Sequence, residues 1–178
     1  MRKDPVIAVK NICLGIKEGE CFGFLGVNGA GKTTTLSILT GDQSATNGGA
    51  LIDGIAIGTR NMKKIRQLIG YCPQFDPLLD LMTGREHLEM FARLRGIPKS
   101  EIPQLVDKLL HRIGLHMFAD KVSVSYSGGN KRKLSLGIAL IGDPKVVFLD
   151  GKHDEMYVLI EQSHRLEWIL CLVDSCGM

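Results

Sequence analysis

The stretch Gly26-Val27-Asn28-Gly29-Ala30-Gly31-Lys32-Thr33-Thr34 decides the fold of this chain. It fits the template of a phosphate-binding loop, which is a glycine, four further residues and then Gly-Lys-Ser/Thr. The residues before it, 21–25, form a short apolar run that is typical of a buried parallel strand. The residues after it, from Thr33 to Leu39, are predicted to form a helix that ends near Gly41. The loop therefore stands in the strand–loop–helix context that the template requires.

The chemistry of the loop follows from its residue types. Gly26, Gly29 and Gly31 allow backbone dihedral angles that other residues avoid, so successive N–H groups can turn toward one anion. The helix start adds unpaired N–H groups and a partial positive charge. In such a loop Lys32 reaches the terminal phosphates, and Thr33 places its hydroxyl on a magnesium ion. The alternative is a glycine-rich turn that binds nothing, and the complete motif in its proper context disfavours it.

The composition indicates one α/β domain and excludes several classes of protein. The chain has 178 residues, of which 44% are hydrophobic and 23% charged, as in an ordinary globular domain. Its net charge of +3 gives no reason to expect nucleic acid as a partner. No signal peptide and no apolar run of membrane-spanning length is expected. Reduced thiols, rather than a metal site, are expected for the five cysteines, which show no CxxC spacing: Cys13, Cys21, Cys72, Cys171 and Cys176.

Three further elements are predicted on either side of the loop. The alternation of apolar residues over Val9 to Lys17 predicts a half-buried strand. Residues 50–52 and 55–57 flank Asp53-Gly54, which is a strong signal for a β-hairpin. Residues 62–69 are predicted to form a short helix with a basic, solvated face.

Polar residues follow two predicted strands at the point where each strand ends. Pro73 stops regular structure after a short strand and leaves Gln74 on a loop. Taken alone, this glutamine would be an ordinary surface residue. Residues 146–149 form a second fully apolar run that ends in Asp150. An acidic residue at the carboxyl end of a buried strand is where a phosphate-loop NTPase places a magnesium-holding aspartate.

Two helices without a strand between them predict a small helical insert at about residues 80–125. Thr83-Gly84-Arg85-Glu86 is a capping box, and the helix that it starts is expected to stop at Gly96. The second helix is expected from about Glu101 to Ile113, where apolar residues recur at helical spacing. Three histidines on or beside the insert are expected at the surface: His87, His111 and His116.

A further helix is predicted from Ser127 to about Ile141. Ser127 is well placed as its N-cap, and the two glycines that follow make the helix start a second candidate anion site. The basic run at residues 131–133 is expected to be solvated. A helix start of this kind would accept a phosphate, and no other function follows from these residues alone.

Together these segments resemble the nucleotide-binding domain of ATP-binding cassette (ABC) transporters. Beside the phosphate loop, Gln74 stands for the Q-loop glutamine and residues 146–150 for the Walker B strand. Tyr126-Ser127-Gly128-Gly129-Asn130 stands where most of the family has the signature Leu-Ser-Gly-Gly-Gln. The match covers roughly residues 7 to 150, and the form of the signature is most similar to the A subfamily, which consists mostly of lipid exporters or flippases.

The resemblance implies a fold and a division of the chain. The implied fold is an α/β phosphate-loop NTPase of the ABC type, with a mainly parallel sheet, an N-terminal antiparallel β portion, a helical insert and an incomplete C-terminal part. Residues 1–150 would form the ATP-binding domain, and residues 151–178 a divergent tail. The chain would then be the product of a longer transporter, truncated after the Walker B strand.

The resemblance also implies roles for individual residues. ATP would be bound by Gly26, Asn28, Gly29, Ala30, Gly31, Lys32, Thr33, Thr34 and Gln74. Magnesium would be held by Thr33, Gln74 and Asp150. Signature residues act on the ATP of a partner cassette, because two such domains dimerise head to tail; here these would be Ser127, Gly128, Gly129 and Asn130.

The implied partners are ATP with Mg²⁺, a second cassette, and the transmembrane domain of a transporter on a longer or separate chain. This places the chain on the cytoplasmic side of a membrane, or in the cytoplasm if it exists alone. Lipid transport is the process that the A-subfamily resemblance implies.

The chain departs from the family pattern after Asp150. The family has a glutamate there that orients the attacking water, and here the position is Gly151. Asp154 or Glu155 is a weak candidate for a substitute base. His164 comes too early to be the family's switch histidine, and the family's aspartate loop and adenine-stacking aromatic are also missing. Two apolar segments of the tail are candidates for replacement strands or for an ill-ordered end: residues 157–160 and 169–173.

Two functions from different classes therefore remain open. The first is an ATP-binding cassette that powers transport, and the second is a nucleotide-binding module that does not hydrolyse ATP and pairs with an intact cassette. The four matched motifs favour the first, and Gly151 favours the second. A kinase or a GTPase on the same loop is disfavoured, because neither class needs the Ser-Gly-Gly helix start and the chain has no guanine-reading Asn-Lys-x-Asp.

Overall fold

The computed structural model describes residues 7–27, 29–151 and 155–160 of the chain. In this part of the chain there are six strands and five α-helices. Their bounds are β1 Cys21–Leu25, α1 Lys32–Leu39, β2 Leu51–Ile52, β3 Ile55–Ala56, α2 Met62–Leu68, β4 Ile69–Cys72, α3 Gly84–Leu94, α4 Ile102–Arg112, α5 Gly128–Ala139, β5 Val146–Asp150 and β6 Glu155–Ile160. Two short 3₁₀ helices, His116–Phe118 and Ser123–Ser125, lie between α4 and α5.

The main sheet has four described strands in the order β1-β6-β5-β4. Strands β4 and β5 are parallel neighbours, whereas β6 is antiparallel to both β1 and β5. Three of the four strands therefore run in one direction, and their carboxyl ends share one edge of the sheet. The predicted hairpin is confirmed, because β2 and β3 pair with each other in an antiparallel sheet of their own.

Strand β6 comes from the segment after Asp150, which was expected to be a divergent tail, and it lies between β1 and β5 in the sheet. Its first residues lie at the carboxyl edge, where Glu155 pairs with Leu25 and Met156 pairs with Asp150. The expectation that residues 157–160 supply a replacement strand is confirmed, since they form most of β6. The other candidate segment, residues 169–173, lies outside the described residues.

The main sheet separates two apolar cores. Alternate residues of β5 serve each side: Val147 and Leu149 join a core with the helical insert and α5, and Val146 and Phe148 join a core with α1 and α2. A strand that is buried on both faces reads as a continuous apolar run, which is why β5 was predictable from sequence. The chain is thus layered helix–sheet–helix around β5.

The helical insert forms as its sequence predicts. The capping box is complete, because the Thr83 hydroxyl accepts from the N–H of Glu86 and the Glu86 carboxylate accepts from the N–H of Thr83 at 2.8 Å. Helix α4 packs its apolar stripe into the core shared with α5 and β5. Among the described residues, no helix is both long enough and apolar enough to cross a membrane.

His87 corrects one expectation, because it is fully buried instead of lying at the surface. Its Nε2 accepts the N–H of Leu79 at 2.8 Å, so its Nδ1 carries the proton that is shared with the Thr83 carbonyl at 2.8 Å. Both ring nitrogens are therefore satisfied inside the insert, and this is what makes burial of a polar ring acceptable. His111 and His116 are exposed, as expected, and their rings stack with centroids 4.7 Å apart.

Two expectations about the first part of the chain are wrong. Residues 9–17 form no strand, and apart from Val9 and Ile16 they are exposed. Their alternation would need a partner strand to take up the backbone hydrogen bonds, and none pairs with them in the described chain. Strand β1 runs in the direction of β4 and β5, but its residues are exposed or half-buried because β1 lies at an edge of the described sheet.

Candidate functional site

The phosphate loop connects β1 to α1 as the motif requires. Gly29 and Gly31 have φ angles of 84° and 88°, which is the left-handed region that glycine enters without strain. A Cβ on Gly31 would lie 2.5 Å from the carbonyl oxygen of Ala8, so the loop also needs glycine there for close packing. The N–H of Ala30 donates to the carbonyl of Val27 at 3.1 Å and closes the turn. Asn28 lies outside the described residues.

Lys32 folds back over the loop. Its ammonium donates to the carbonyl oxygen of Gly26 and, at 3.0 Å, to that of Val27. Both acceptors belong to the loop, so the positive charge is held at the mouth of the loop. The Lys32 side chain therefore lies against the loop that precedes it.

Helix α1 opens toward the same space. It has Gly31 as its N-cap and no side-chain cap, and its first backbone hydrogen bond runs from the N–H of Thr35 to the carbonyl of Gly31. The N–H groups of Thr33 and Thr34 lie in the first turn, where a helix supplies no intrahelical acceptor. Such a start is a suitable site for an anion.

A cavity of about 240 Å³ lies at this edge of the sheet. Four separate segments meet around it: the chain before β1 at Ala8, the phosphate loop with α1, the loop after β4, and the end of β5. The lining residues are Ala8, Gly29, Gly31, Lys32, Thr33, Thr34, Leu36, Gln74, Asp150 and Gly151. The structure thus brings together side chains that the sequence separates by more than a hundred positions.

Asp150 is the one acidic residue among those lining residues. Partial burial raises the pKa of its carboxyl above the ordinary value, while the Arg132 guanidinium, the Tyr71 hydroxyl and the Lys32 ammonium act in the opposite direction. The Tyr71 hydroxyl donates to the carboxylate at 3.5 Å. The carboxylate is therefore near cations but only weakly hydrogen-bonded, and this leaves it available as a ligand.

The oxygen atoms around the cavity suit magnesium. The Thr33 hydroxyl, the Gln74 amide and the Asp150 carboxylate are hard donors of the kind that Mg²⁺ prefers, and this ion keeps several of its waters. Among the described residues, no group of three or more His, Cys, Asp or Glu forms a metal site. A divalent ion here would thus also need solvent and phosphate oxygens, as in sites that bind metal and nucleotide together.

Gly151 lies beside Asp150 in the lining of the cavity. It has no side chain, so this position offers no acid or base to a water molecule. Of the substitute bases considered, Asp154 lies outside the described residues. The backbone of Glu155 lies at the carboxyl edge of the sheet, which is the edge with the cavity, and it pairs there with Leu25.

The signature residues lie apart from this cavity. Ser127, Gly128 and Gly129 are exposed, Asn130 is half-buried, and none of the four contributes to the lining. Ser127 is the N-cap of α5, as predicted, and its hydroxyl accepts the N–H of Asn130 at 3.3 Å. The exposed helix start is consistent with an anion that comes from outside this chain.

Tyr126 explains part of the unusual form of the signature. Its ring is buried, and its hydroxyl donates to the carbonyl of Phe118 at 2.5 Å. A Cβ on Gly84 would lie 2.4 Å from that hydroxyl oxygen. The signature is therefore anchored in the helical insert by a tyrosine that requires glycine at the start of α3.

Arg132 is a residue that the sequence analysis missed, because the basic run was expected to be solvated. Its side chain is only 15% exposed and lies against the ends of β4 and β5. A signal was present: Arg132 is four residues before Leu136 and seven before Ala139, so it shares a face of α5 with buried positions. A charge on a buried helix face needs partners, and this one has them.

The comparison with known families agrees with the motifs. A family profile described as ABC transporter matches residues 9–152. The match begins before the phosphate loop and ends just after Asp150. It therefore includes every lining residue of the cavity except Ala8.

Two relatives show the level of sequence similarity. The retinal-specific phospholipid-transporting ATPase ABCA4 of Bos taurus is 54% identical over 161 residues, which are 90% of this chain and 7% of that protein. The phospholipid-transporting ATPase ABCA3 of Homo sapiens is 57% identical over 146 residues, which are 82% of this chain and 8% of that protein. The chain thus spans less than a tenth of the length of these relatives.

Solved structures show the same similarity in fold. The cbiO1 protein from Clostridium perfringens, part of the ABC transporter complex cbiONQ, matches with a TM-score of 0.74 and 25% identity over 96% of this chain and 68% of that chain. The ATP-binding cassette MJ0796, solved as a dimer in a post-hydrolysis state bound to ADP and Pi, matches with a TM-score of 0.67 and 29% identity over 81% of this chain and 66% of that chain. The sequence comparison and the fold comparison therefore both indicate an ABC-type cassette.

Proposed function

This chain belongs to the ABC transporter family as an ATP-binding cassette with A-subfamily relatives, and on that premise we propose that it binds Mg-ATP but hydrolyses it poorly. The observation that carries the proposal is the composition of one cavity. Lys32 and Thr33 of the phosphate loop line it together with Gln74 and Asp150, whereas Gly151 adds no functional group. The cavity thus has groups for binding but lacks a group for activating water.

The phosphate loop would bind the triphosphate. Lys32 now donates to two neutral carbonyl oxygens, and a phosphate oxygen would offer it a stronger, charge-assisted hydrogen bond. The N–H groups at the start of α1 would add further donors. Further backbone amides of the loop would complete the cradle that glycine makes possible. Exchange of carbonyl for phosphate partners would therefore favour the nucleotide.

Magnesium would be held by Thr33, Gln74 and Asp150, and when bound it would neutralise part of the phosphate charge. The three side chains come from three different segments. Their contribution would be to supply oxygen ligands from fixed positions around the cavity. The ATP affinity that depends on Mg²⁺ should thus change when the segments that carry Thr33, Gln74 and Asp150 are displaced relative to one another.

Hydrolysis needs a base within hydrogen-bond reach of the attacking water. A positioned base typically contributes about 10²–10⁴-fold in rate, and Gly151 supplies none. We therefore expect turnover to be lower by about this factor than in a cassette that has a glutamate at this position. Binding of the nucleotide is expected to survive, because no group of the phosphate loop is altered.

The signature would act on a second cassette. The start of α5 is exposed and lies apart from the cavity of its own chain. In a head-to-tail pair, Ser127, Gly128, Gly129 and Asn130 would close over the ATP of the partner. The dimer of MJ0796 gives a precedent for pairing between cassettes of this fold.

The process that this cassette serves is proposed from its relatives. The names of ABCA4 and ABCA3 describe phospholipid-transporting ATPases, so phospholipid movement is the proposed process. The chain would act there with a transmembrane domain, on the cytoplasmic side of a membrane. That domain would belong to a longer form of this chain or to a separate one.

A second candidate function is favoured by the contrast between Gly151 and the signature. A chain with an inactive cavity and an intact signature helix would complete the ATP site of a partner without turnover of its own. It would then be a regulatory module that modulates an active cassette. Both candidates predict ATP binding and little turnover by this chain, so phosphate release tests them together.

Phosphate release tests the proposal. The full chain and a Lys32→Ala variant are compared under saturating Mg-ATP, after nucleotide binding by the full chain has been measured in the same preparation. We expect binding by the full chain and phosphate release no faster than in Lys32→Ala. Release clearly above that control would reject poor hydrolysis and the regulatory module, and an absence of binding would reject the cavity as a nucleotide site.

A further inference from the structure

Arg132 lies between the signature and the nucleotide cavity. It is on α5, five residues after Ser127, which caps the same helix. Its guanidinium lies at the carboxyl edge of the sheet. There it donates to the carbonyl oxygens of Pro73 and Asp150, and it lies 3.5 Å from the carboxylate of Asp76.

The acceptors of Arg132 belong to the two segments that carry magnesium-side ligands. Pro73 directly precedes Gln74, and the Asp150 carbonyl is the last of β5. A guanidinium is planar and presents five N–H donors in a fixed fork, so it can bind oxygens from separate segments at one time. The contact thus joins the loop after β4, the end of β5 and helix α5 in a single group.

The surroundings make this contact strong. The side chains of Arg132 and Asp76 are 15% and 16% exposed, so water competes little for their hydrogen bonds. Loss of the guanidinium would leave two backbone carbonyls and one carboxylate without this donor in a sheltered place. The remaining chain has no other described side chain that donates to both carbonyls.

We propose that Arg132 is a positioning residue, which holds the Gln74 loop and the Asp150 end of β5 in the arrangement that binds magnesium with ATP. The proposal rests on the proposed function. Because Arg132 is part of α5, the same contact transmits occupancy of the cavity to the start of the signature helix at Ser127. Substitution of Arg132 should therefore lower the ATP affinity that depends on Mg²⁺. The affinity that the phosphate loop provides without the metal should stay unchanged.

The first experiment measures equilibrium ATP binding with excess Mg²⁺ and with EDTA. The full chain is compared with Arg132→Gln, which removes the charge and the fork, with Arg132→Lys, which keeps the charge, and with Lys131→Gln as a matched control on the same turn of α5. For Arg132→Gln we expect the gain in affinity from Mg²⁺ to fall about tenfold, which is the value of one charge-assisted hydrogen bond. Arg132→Lys should give an intermediate loss, and Lys131→Gln none.

The second measurement follows amide hydrogen exchange at the start of α5. In the full chain, Mg-ATP is expected to slow exchange in the first turns of the helix, and in Arg132→Gln this protection should be lost. A residue that only stabilised the fold would change exchange and affinity with and without the metal alike. The two readouts therefore separate positioning from general stability.

Several results would overturn the proposal. One is an unchanged magnesium gain in Arg132→Gln, or in Arg132→Lys if the glutamine variant does not fold. Another is a loss of ATP affinity that is equal with Mg²⁺ and with EDTA. A third is failure of both Arg132 variants to fold while Lys131→Gln folds, which would assign Arg132 a structural role alone. An absence of ATP binding by the full chain would instead count against the proposed function, so the two failures are distinguishable.

Discussion

Cys72 and Cys21 are thiols of one chain in opposite surroundings. Cys72 is fully buried on β4, and desolvation raises its pKa to about 12. Cys21 on β1 is exposed, and its pKa is raised by its partial burial. Since the thiolate is the reactive form, the two residues should differ strongly in reactivity.

Alkylation followed by peptide mapping checks this difference. At neutral pH, Cys13 and Cys21 should react in the native chain, and Cys72 should react only after denaturation. Because burial raises the pKa of the Cys72 thiol, little of the reactive thiolate forms near neutral pH and its reaction should be slow. Labelling of Cys72 as fast as that of Cys13 would show that β4 is not covered by α5 and the helical insert.

The carboxyl of Asp150 should make magnesium binding sensitive to acid. Its pKa is raised mainly by burial, so protonation begins at a higher pH than for an ordinary aspartate. As the pH falls, the magnesium-dependent gain in ATP affinity should disappear before the affinity that is independent of magnesium. The Asp150→Asn variant should lack this gain at every pH. A gain that persists down to the ordinary range of aspartate would contradict this assignment.

The same shift has the opposite effect on folding. A pKa that is higher in the folded chain means that protonation of Asp150 favours the folded state, so its stabilising contribution is present at low pH and is lost as the pH rises through the folded value. Thermal unfolding of the chain and of Asp150→Asn across this range would separate the two effects. Acid should thus weaken metal binding without unfolding the chain through this residue.

Side chains with a motif were predictable, and those defined by packing were not. Lys32 and Asp150 were placed by the phosphate loop and by the apolar run before Asp150, since backbone geometry fixes where those side chains point. His87 and Arg132 were misread as exposed. His87 accepts the backbone N–H of Leu79, and Arg132 donates to the backbone carbonyl of Pro73. Backbone partners of this kind are available at any residue type, so they leave no pattern in a sequence.

At the scale of elements, the signature and the helical insert meet at Tyr126 and Gly84. Gly84→Ala should destabilise the chain, because the new Cβ would lie 2.4 Å from the Tyr126 hydroxyl oxygen although alanine is otherwise favoured in a helix. Tyr126→Phe should cost about 1 kcal/mol through loss of the hydrogen bond to Phe118. In the double variant the clash is relieved, since the nearest remaining ring atom would be 3.4 Å away.

Chemical denaturation of the two single variants and the double variant tests this contact. We expect the double variant to be more stable than the sum of the two single losses predicts, by at least about 0.5 kcal/mol. Strict additivity would contradict direct contact between the two residues.

Strand β6 should contribute to stability through Val158. This side chain is 5% exposed, and its residue pairs with Phe22 on one side and Phe148 on the other. Val158→Ala should cost about 2 kcal/mol in the free energy of unfolding, because it removes buried methyl groups. Val124→Ala, at a position that is 53% exposed, should change it by less than about 0.5 kcal/mol. Equal effects in urea denaturation would mean that the tail does not complete the sheet.

The elements were predictable where their signals are local. The capping box at Thr83, the hairpin at Asp53-Gly54 and the N-cap at Ser127 depend on neighbouring residues, and all three form as predicted. A strand needs a partner, and its partner lies far away in sequence. For this reason residues 9–17 were wrongly predicted as a strand, and the place of β6 in the sheet could only be offered as one alternative.

At the scale of the whole molecule, the sheet brings the phosphate loop, the Gln74 loop and Asp150 to one edge. Four ordered motifs predicted this arrangement, because parallel strands of known order put their carboxyl ends together. They did not predict that a strand from the segment after Asp150 would run antiparallel between β1 and β5. At the position after Asp150, Gly151 offers no side chain to the cavity.

Equilibrium ATP binding by the full chain, combined with its size in solution, tests most directly whether this cavity binds nucleotide. We predict saturable, magnesium-enhanced binding that Lys32→Ala abolishes, and an increase in size with Mg-ATP if the signature helix pairs with a second copy. A folded chain, judged by circular dichroism, that shows no ATP affinity or binds ATP as well after Lys32→Ala would contradict this.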